Sequence, residues 1–314
     1  MSTAPMVLVT GGAGFIGSHA CEALLARGMG VRILDDFSSG TRGNLARIAD
    51  AVEVLEGSVE SQETVARAMR GCTAVVHLAA RTSVAESMEN PALYARVNAG
   101  GTRIVCEAAR GAGVRRVVFA ASSSAYGDHP APQDESMAPR PLSPYAESKI
   151  AGEHALAALA ADGACDAVPL RFFNVYGERQ EPTNPYAGVI ARFMARMARG
   201  EGVTIFGDGM QTRDFVYAGD AADAIVRAIS GSRRIGGRPV NIGTGHGTSI
   251  IGLASTVAEV QGIEARFEFA PAREGEVRDS IARTALATEL LGFTASHSLG
   301  AGLRAMMRAD GRSG

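Results

Sequence analysis

Tyr145 and Lys149 are the two residues whose types and spacing most directly suggest proton transfer. In a helix spanning 144–162, their side chains would lie on one face at positions i and i+4. A free tyrosine has a pKa of about 10 and is a weak base at neutral pH. A nearby ammonium favours the phenolate and lowers that pKa. The pair is therefore a candidate base, although the same spacing in isolation is common on helices and carries no function.

The beginning of the chain supplies a context for that pair. Gly11, Gly14 and Gly17 follow a strand-like run and open a helical pattern. In a dinucleotide-binding turn, the first glycine permits the tight turn, the second lets the backbone approach a pyrophosphate, and the third allows close helix–sheet packing. The helix N-terminus offers N–H groups and partial positive charge to the phosphates. The sequence predicts a dinucleotide site here, the alternative being a glycine-rich turn of purely structural use.

Asp35 closes the second strand-like run, where a carboxylate can accept hydrogen bonds from the ribose hydroxyls of an adenosine. A carboxylate at this position also repels a 2′-phosphate, so NAD is favoured over NADP, while the nearby Arg42 argues in the other direction. With a nicotinamide bound, Lys149 would be placed to hydrogen-bond its ribose as well as to assist Tyr145.

Three consecutive serines, Ser122, Ser123 and Ser124, follow a predicted strand that ends at Ala120. The carboxyl edge of a parallel sheet is where doubly wound folds bind ligands. A serine hydroxyl at this edge could bridge a sugar oxygen and the phenol, while a serine-rich turn is the structural alternative.

The elements that must position these residues alternate along the first half of the chain. Strands are predicted at 6–9, 31–34, 52–55, 74–77, 116–120 and 167–170, with helical patterns such as 16–26 and 65–69 between them. This alternation predicts an α/β fold with a doubly wound parallel sheet of the Rossmann type. The pattern loosens after Asn174. We therefore expect an NAD-binding domain over 1–174, joined by part of 210–245, and a smaller mixed substrate-binding lobe over 175–314.

Composition excludes several classes of function. A net charge of −2 over 314 residues gives no electrostatic case for nucleic acid. The four cysteines are scattered without a C-x-x-C pair, which suggests neither a metal site nor a disulfide framework. The first residues show no basic region, apolar core or cleavage site, so we expect no signal peptide, and no apolar stretch approaches the roughly 20 residues of a membrane span. We expect a cytoplasmic protein with no membrane partner.

Taken together, the motifs resemble those of the extended short-chain dehydrogenase/reductase superfamily, and within it the nucleotide-sugar 4-epimerases of the UDP-glucose (UDP-galactose) 4-epimerase type. The matching segments are 9–19, 34–40, 77–80, 98 with 101–102, 122–127, 145–149, 171–177, 205–209 and 211–217. They extend over nearly the whole chain.

The resemblance implies a role for each matching position. Tyr145 would be the base, Lys149 its partner, and Ser122 the catalytic serine. The implied NAD-binding residues are Gly11, Gly14, Phe15, Ile16, Gly17, Asp35, Asp36, Ser39, Gly40, Ser58, Val59, Leu78, Ala79, Ala80, Asn98, Tyr145, Lys149, Phe172 and Val175. The implied substrate-binding residues are Ser122, Ser123, Ser124, Asn174, Val189, Phe206, Arg213, Arg273, Glu276 and Ser280, the two arginines gripping a diphosphate.

The chain also departs from the family pattern. Ser58 stands where an adenine-contacting aspartate is expected. Ser123 and Ser124 stand where dehydratase relatives carry acids, and this argues against elimination of water, which needs a positioned acid and base. Ser280 replaces a larger tyrosine of some epimerases, leaving room for a 2-acetamido group.

The resemblance implies NAD-dependent inversion at C4 of a nucleotide-diphosphate hexose through a transient 4-keto sugar. The substrate would be of the UDP-glucose/UDP-galactose class, with N-acetylhexosamine and uronic acid forms as alternatives. The resemblance also implies a homodimer formed by helices near 91–111 and 144–162. Two alternatives stay open at this point. One is another sugar-nucleotide oxidoreductase, either a reductase or an epimerase at a different carbon. The other is a non-catalytic NAD-binding regulator, since fold does not fix function.

Overall fold

The computed structural model of the chain describes residues 5–180, 188–272 and 277–309. Its strands are β1 (Met6–Thr10), β2 (Gly30–Asp35), β3 (Val52–Glu56), β4 (Ala74–His77), β5 (Arg116–Ser122), β6 (Asp166–Phe172), β7 (Asn174–Tyr176), β8 (Val203–Phe206), β9 (Thr212–Arg213), β10 (Phe215–Tyr217), β11 (Val240–Ile242), β12 (Thr248–Ser249), β13 (Phe267–Ala270) and β14 (Asp279–Ser280). Its α-helices are α1 (Phe15–Ala26), α2 (Gln62–Met69), α3 (Val84–Glu89), α4 (Pro91–Tyr94), α5 (Gly101–Gly111), α6 (Pro144–Ala160), α7 (Val189–Ala198), α8 (Ala218–Ser230), α9 (Ile250–Gln261), α10 (Ala285–Leu291) and α11 (Leu299–Ala309).

Seven strands form a central parallel sheet in the order β11-β6-β5-β4-β1-β2-β3. Successive side chains of its strands are buried on opposite faces, as a sheet covered by helices on both sides requires. In β1, Val7 and Val9 pack in one hydrophobic cluster with α1 and α8, whereas Leu8 packs in the other with α2, α5 and α6. The predicted doubly wound fold is confirmed, and all six predicted strands lie within observed ones.

The remaining strands form small sheets in the second half of the chain. β13 pairs with β8, β10 pairs with β7, and β9 lies between β12 and β14. A third hydrophobic cluster packs α7, α9 and α11 against β8, with Phe193, Ile205, Leu253 and Leu303 among its buried residues. The strand β11 lies within 210–245 and returns to the central sheet beside β6. The predicted domain boundaries themselves stay a prediction.

The helix expected near 91–111 is interrupted. α4 continues into a π-helical turn, Ala95–Gly100, before α5 begins. Turns of this kind inside helices often occur at functional sites, because the extra residue redirects a side chain. The described part of the chain contains no helix that is both long and apolar enough to cross a membrane.

Candidate active site

A large cavity of about 1470 Å³ opens at the carboxyl ends of the central strands, and it contains most of the predicted site. Its lining includes these predicted residues: Gly11, Gly14, Phe15, Ile16, Gly17, Asp35, Asp36, Ser39, Val59, Leu78, Ala79, Ala80, Ser122, Ser123, Ser124, Tyr145, Lys149, Phe172, Asn174, Val175, Arg213 and Ser280. This is the edge at which a doubly wound sheet is expected to bind ligands.

The glycine turn is tight enough to require glycine at two positions. Gly11 has a φ of +70°, and a Cβ there would lie 2.7 Å from the backbone nitrogen of Ala79. A Cβ on Gly17 would overlap the carbonyl oxygen of Gly11. The first turn of α1 therefore packs directly on the loop after β1, which leaves room for a pyrophosphate at the helix N-terminus.

Asp35 lies beside this turn, and its carboxylate is bound on both oxygens. One oxygen accepts the backbone N–H of Ala13 at 2.8 Å and the other that of Phe37 at 2.9 Å. Burial raises the pKa of Asp35, and the two hydrogen bonds oppose that rise. Arg42 pairs with Glu56 at 2.9 Å and covers the Phe37 ring, so its guanidinium already has an anionic partner. These contacts fit NAD with free ribose hydroxyls at the end of β2.

The two proton-transfer residues lie one turn apart at the start of α6. The Ser143 hydroxyl caps this helix by accepting the N–H of Ala146, and Pro144 occupies its first turn. The Lys149 ammonium donates to the carbonyl oxygen of Ala120 at 2.9 Å and lies 5.9 Å from the Tyr145 ring centroid. Burial lowers the pKa of Lys149 to about 8. An ammonium with so low a pKa can exchange its proton near neutral pH.

The predicted lowering of the Tyr145 pKa by Lys149 is not found in the chain alone. Burial raises the pKa of Tyr145, and the hydrogen bond with Ser122 is the contact that opposes this rise. The low-dielectric site disfavours the phenolate more than its neighbours favour it. A cationic nicotinamide beside the phenol would act in the same direction as Ser122.

The three serines occupy the turn between β5 and the loop that follows. The Ser122 hydroxyl accepts the N–H of Ser124 at 3.2 Å, which starts the 3₁₀ turn Ser123–Tyr126. The hydroxyl of Ser124 is buried and has no hydrogen-bond partner among the described residues. The same serines thus shape the turn and line the cavity, so the turn does not exclude a role at the site, and that role stays a prediction.

Five predicted site residues are described but do not line this cavity: Gly40, Ser58, Asn98, Val189 and Phe206. Gly40 packs behind the glycine turn, where a Cβ would lie 2.8 Å from the carbonyl carbon of Ala13. The Ser58 hydroxyl accepts the N–H of Glu60.

The other three lie away from the cavity for different reasons. The Asn98 side chain is hydrogen-bonded to the backbone of Arg81 and to the hydroxyl of Ser148. Val189 packs at the start of α7 in the third cluster, and Phe206 ends β8. Arg273 and Glu276 lie outside the described residues.

Other lining residues carry no local signal in the sequence. Thr82 and Val84 come from the loop and helix after β4, and Leu142 precedes α6. Arg179, which has a φ of +67°, donates to both oxygens of Glu22 at the glycine-turn end of the cavity. These positions enter the site through the tertiary fold, and sequence reasoning missed them.

Comparisons with known proteins confirm the fold and the family that the sequence predicts. Residues 7–243 match the NAD dependent epimerase/dehydratase family. The chain is 42% identical to the UDP-glucose 4-epimerase of Mycolicibacterium smegmatis over 301 residues, which cover 94% of this chain and 95% of that relative. The UDP-glucose 4-epimerase of Thermotoga maritima with UDP-glucose superposes with a TM-score of 0.91 at 37% identity, covering 98% of this chain and 99% of that one. The UDP-N-acetylglucosamine 4-epimerase of Methanobrevibacter ruminantium in complex with UDP-N-acetylmuramic acid gives a TM-score of 0.92 at 30% identity and 98% coverage of both chains.

Proposed function

The chain belongs to the NAD dependent epimerase/dehydratase family, and from this premise we propose that it inverts C4 of a UDP-hexose using bound NAD. The observation that carries the proposal is the meeting of Tyr145, Lys149 and Ser122 in the cavity that also contains the glycine turn. This arrangement supports the proposal because oxidation and reduction of a carbinol carbon need a proton-transfer group beside a bound dinucleotide.

Each residue has a defined part in the proposed reaction. NAD supplies reversible hydride exchange when bound. Tyr145 removes the proton of the 4-hydroxyl as the C4–H bond is oxidised, and the product is a 4-keto sugar. Ser122 would hold the phenol and the sugar oxygen, and Lys149 would hold the nicotinamide ribose of the bound cofactor. After the sugar turns over, reduction on the opposite face is completed when Tyr145 returns its proton to the oxygen at C4.

The substrate must remain bound while the sugar turns. Arg213 lies on β9 with its Cα paired to that of Ser280 on β14, and both residues line the cavity. Together with Arg273, Arg213 would hold the diphosphate away from the reacting carbon, so that binding energy at a remote group keeps the intermediate in place. Relatives acting on glucose and on N-acetylglucosamine forms both resemble this chain, and the small Ser280 leaves room for either sugar.

The site also favours this reaction over the alternatives. Ser123 and Ser124 place no acid beside the sugar, so elimination of water lacks its general acid. A reductase would consume external reduced cofactor, whereas the proposed cycle returns each hydride and consumes none. A non-catalytic regulator would have no use for a base, its partner amine and a serine arranged around one cavity.

The test is incubation of the purified protein with UDP-glucose, UDP-N-acetylglucosamine, UDP-glucuronate and dTDP-glucose, with products resolved by NMR. We expect interconversion of C4 epimers without net change in NADH absorbance, and loss of at least about a thousandfold in kcat for Tyr145→Phe with NAD still bound. Tyr217→Phe is the matched control, because that phenol donates to Glu178 away from the cavity. Normal turnover by Tyr145→Phe, or tight NAD binding without turnover of any of the four substrates, would contradict the proposal.

A homodimer and a cytoplasmic location also belong to the proposal. α5 and α6 pack side by side in each chain, and a second copy would complete a four-helix arrangement with them. Light scattering of the purified protein tests the dimer.

A further inference from the structure

A closed loop of contacts connects the ring of Tyr145, the proposed base, with its backbone carbonyl. The phenol oxygen that would transfer the proton takes no part in this loop. The ring of Tyr94 meets the ring of Tyr145 edge to face, with centroids 6.3 Å apart and planes at 89°. The hydroxyl of Tyr94 donates to Glu86 Oε2 at 2.7 Å. Since Tyr94 is fully buried, its phenol has to be satisfied within the protein, and the carboxylate of Glu86 does this.

The contacts continue from Glu86 back to Tyr145 through four further residue pairs, which involve Arg81, Asn98 and Ser148. Arg81 Nη2 donates to Glu86 Oε1 at 2.7 Å. The backbone of Arg81 is held in turn by the Asn98 side chain, which accepts its N–H at 2.8 Å and donates to its carbonyl at 2.9 Å. Asn98 also donates to the hydroxyl of Ser148 at 3.0 Å, and that hydroxyl donates to the carbonyl oxygen of Tyr145 at 2.7 Å. The contacts therefore form a closed loop that begins at the ring of Tyr145 and ends at its carbonyl oxygen.

We propose that Tyr94 and Glu86 are positioning residues that fix the phenol ring of Tyr145 for proton transfer, an inference that rests on the proposed function of Tyr145. Glu86 holds Tyr94 through a charge-assisted hydrogen bond, and the ring of Tyr94 packs edge to face against the ring of Tyr145 and limits its movement. The Asn98–Ser148 branch holds the backbone of the same residue. Side chain and main chain of the base are thus constrained from two sides.

Three further features hold the residues of this loop in place. The hydroxyl of Ser83 caps α3 by accepting the N–H of Glu86 at 3.0 Å, which fixes the carboxylate at the start of that helix. Arg81 and Tyr94 both lower the pKa of Glu86, so it stays ionised at neutral pH. The π-helical turn Ala95–Gly100 directs the Asn98 side chain toward Arg81 and Ser148, with which it makes hydrogen bonds.

A base needs this constraint because proton transfer depends on donor–acceptor geometry within about 0.5 Å. Among the described residues, the Tyr145 ring meets the ring of Tyr94 edge to face and lies 5.9 Å from the Lys149 ammonium. If the Tyr94 ring were lost, the Tyr145 side chain would sample other rotamers. The kcat would then fall, while substrate binding would not change.

The experiment compares Glu86→Gln, Tyr94→Phe and Tyr94→Leu with Glu89→Gln. Glu89 lies on the same helix and is exposed, and its side chain makes no hydrogen bond to the described residues, so it is a matched control. We expect kcat to fall three- to tenfold in Glu86→Gln, which removes the charge from the hydrogen bond between residues 86 and 94, and in Tyr94→Phe, which removes that hydrogen bond altogether; both variants keep the aromatic ring. We expect a larger loss in Tyr94→Leu, with KM and NAD content within twofold of the wild-type values throughout, and Glu89→Gln unchanged.

A second readout does not depend on activity. The chain has six tyrosines, so ring-labelled tyrosine gives a small set of NMR signals, and the signal missing from Tyr145→Phe identifies the base. We expect this signal to shift and broaden in Glu86→Gln and Tyr94→Phe and to be unchanged in Glu89→Gln. An unperturbed Tyr145 signal in both Glu86→Gln and Tyr94→Phe would overturn the inference, and so would a change in KM with kcat intact. If the wild-type protein proves to have no epimerase activity, the proposed function fails, while the NMR comparison still decides whether Tyr94 and Glu86 position Tyr145. If Tyr94→Leu does not fold, Glu86→Gln and Tyr94→Phe decide.

Discussion

Lys149 is the only lysine in the chain, which makes its unusual environment directly measurable. Labelling with lysine that carries ¹³C at Cε gives one side-chain signal in the whole protein, with no assignment needed. We expect this signal to titrate with a pKa of about 8 in the NAD-free protein, well below the ordinary value of 10.5. The physical cause is burial, since Lys149 is only 3% exposed and its ammonium is removed from water.

The difference between the folded and ordinary pKa values of Lys149 also predicts that the charged lysine lowers the free energy of unfolding. Between pH 10.5 and about 8, the unfolded chain holds a proton on this lysine that the folded chain does not. The free energy of unfolding therefore falls as the pH falls through this window, by about 3 kcal/mol, and stays at the lower level below it. The hydrogen bond to Ala120 offsets about 1 kcal/mol of that cost.

Lys149→Met removes the buried charge and keeps the volume of the side chain. We expect it to be more stable than the wild type by about 1–2 kcal/mol at pH 7, with the difference disappearing near pH 10. Urea unfolding of the NAD-free proteins at several pH values measures this. The chain has no tryptophan, so circular dichroism is the suitable signal. Catalysis should be lost in the same variant.

Comparison of the two proteins cancels the contributions of the buried cysteines and tyrosines, whose pKa values are raised by burial in the folded chain. Lys149→Arg is the control for charge, because a guanidinium cannot give up its proton, and we expect it to lose the pH dependence without gaining stability. A lysine signal that titrates near 10.5, or a Lys149→Met protein less stable than the wild type at pH 7, would refute the reasoning.

Two further predictions concern the frame around the site. Gly17→Ala should abolish NAD binding and lower the free energy of unfolding by about 1–3 kcal/mol, because the added Cβ overlaps the Gly11 carbonyl. Gly111→Ala at the open end of α5 is the control and should change neither property. Cofactor content and urea midpoints measure the two effects. Removing Glu153 alone should destabilise the protein by about 3–5 kcal/mol, because it leaves the guanidinium of Arg171 buried without its bidentate partner, and replacing both residues with apolar ones should cost clearly less. A double variant that is no more stable than the single one would contradict this last prediction.

The sequence predicted the features whose signal is local. Strands such as β1 are continuous runs of Val and Leu, and the glycine turn and the Tyr145–Lys149 pair are motifs within a few residues. The seventh strand, Val240–Ile242, could not be found because three residues carry no pattern and its identity comes from pairing with β6.

The same limit applies to the site. The partner of the Lys149 ammonium is a backbone carbonyl 29 residues earlier in the chain, and only the packing of α6 on β5 brings the two together. Thr82, Val84 and Leu142 are ordinary loop and helix residues that become lining residues once the loops after β4 and before α6 meet. The direction of the Tyr145 pKa was missed for a related reason, since the burial that raises it is a property of the fold and not of the motif.

Lys149 is the single lysine among 31 lysine and arginine residues, so this chain places arginine at every other basic position. The site shows why arginine would not serve here. The carbonyl of Ala120 is the one hydrogen-bond acceptor that the described residues offer to this side chain, and a guanidinium would bring five donors to a buried place with one acceptor. A compact ammonium leaves two donors, which can face the ribose hydroxyls of NAD. It also exchanges its proton near pH 8, which a guanidinium cannot do. The local shortage of acceptors and the need for a titratable amine beside Tyr145 together account for lysine at this position.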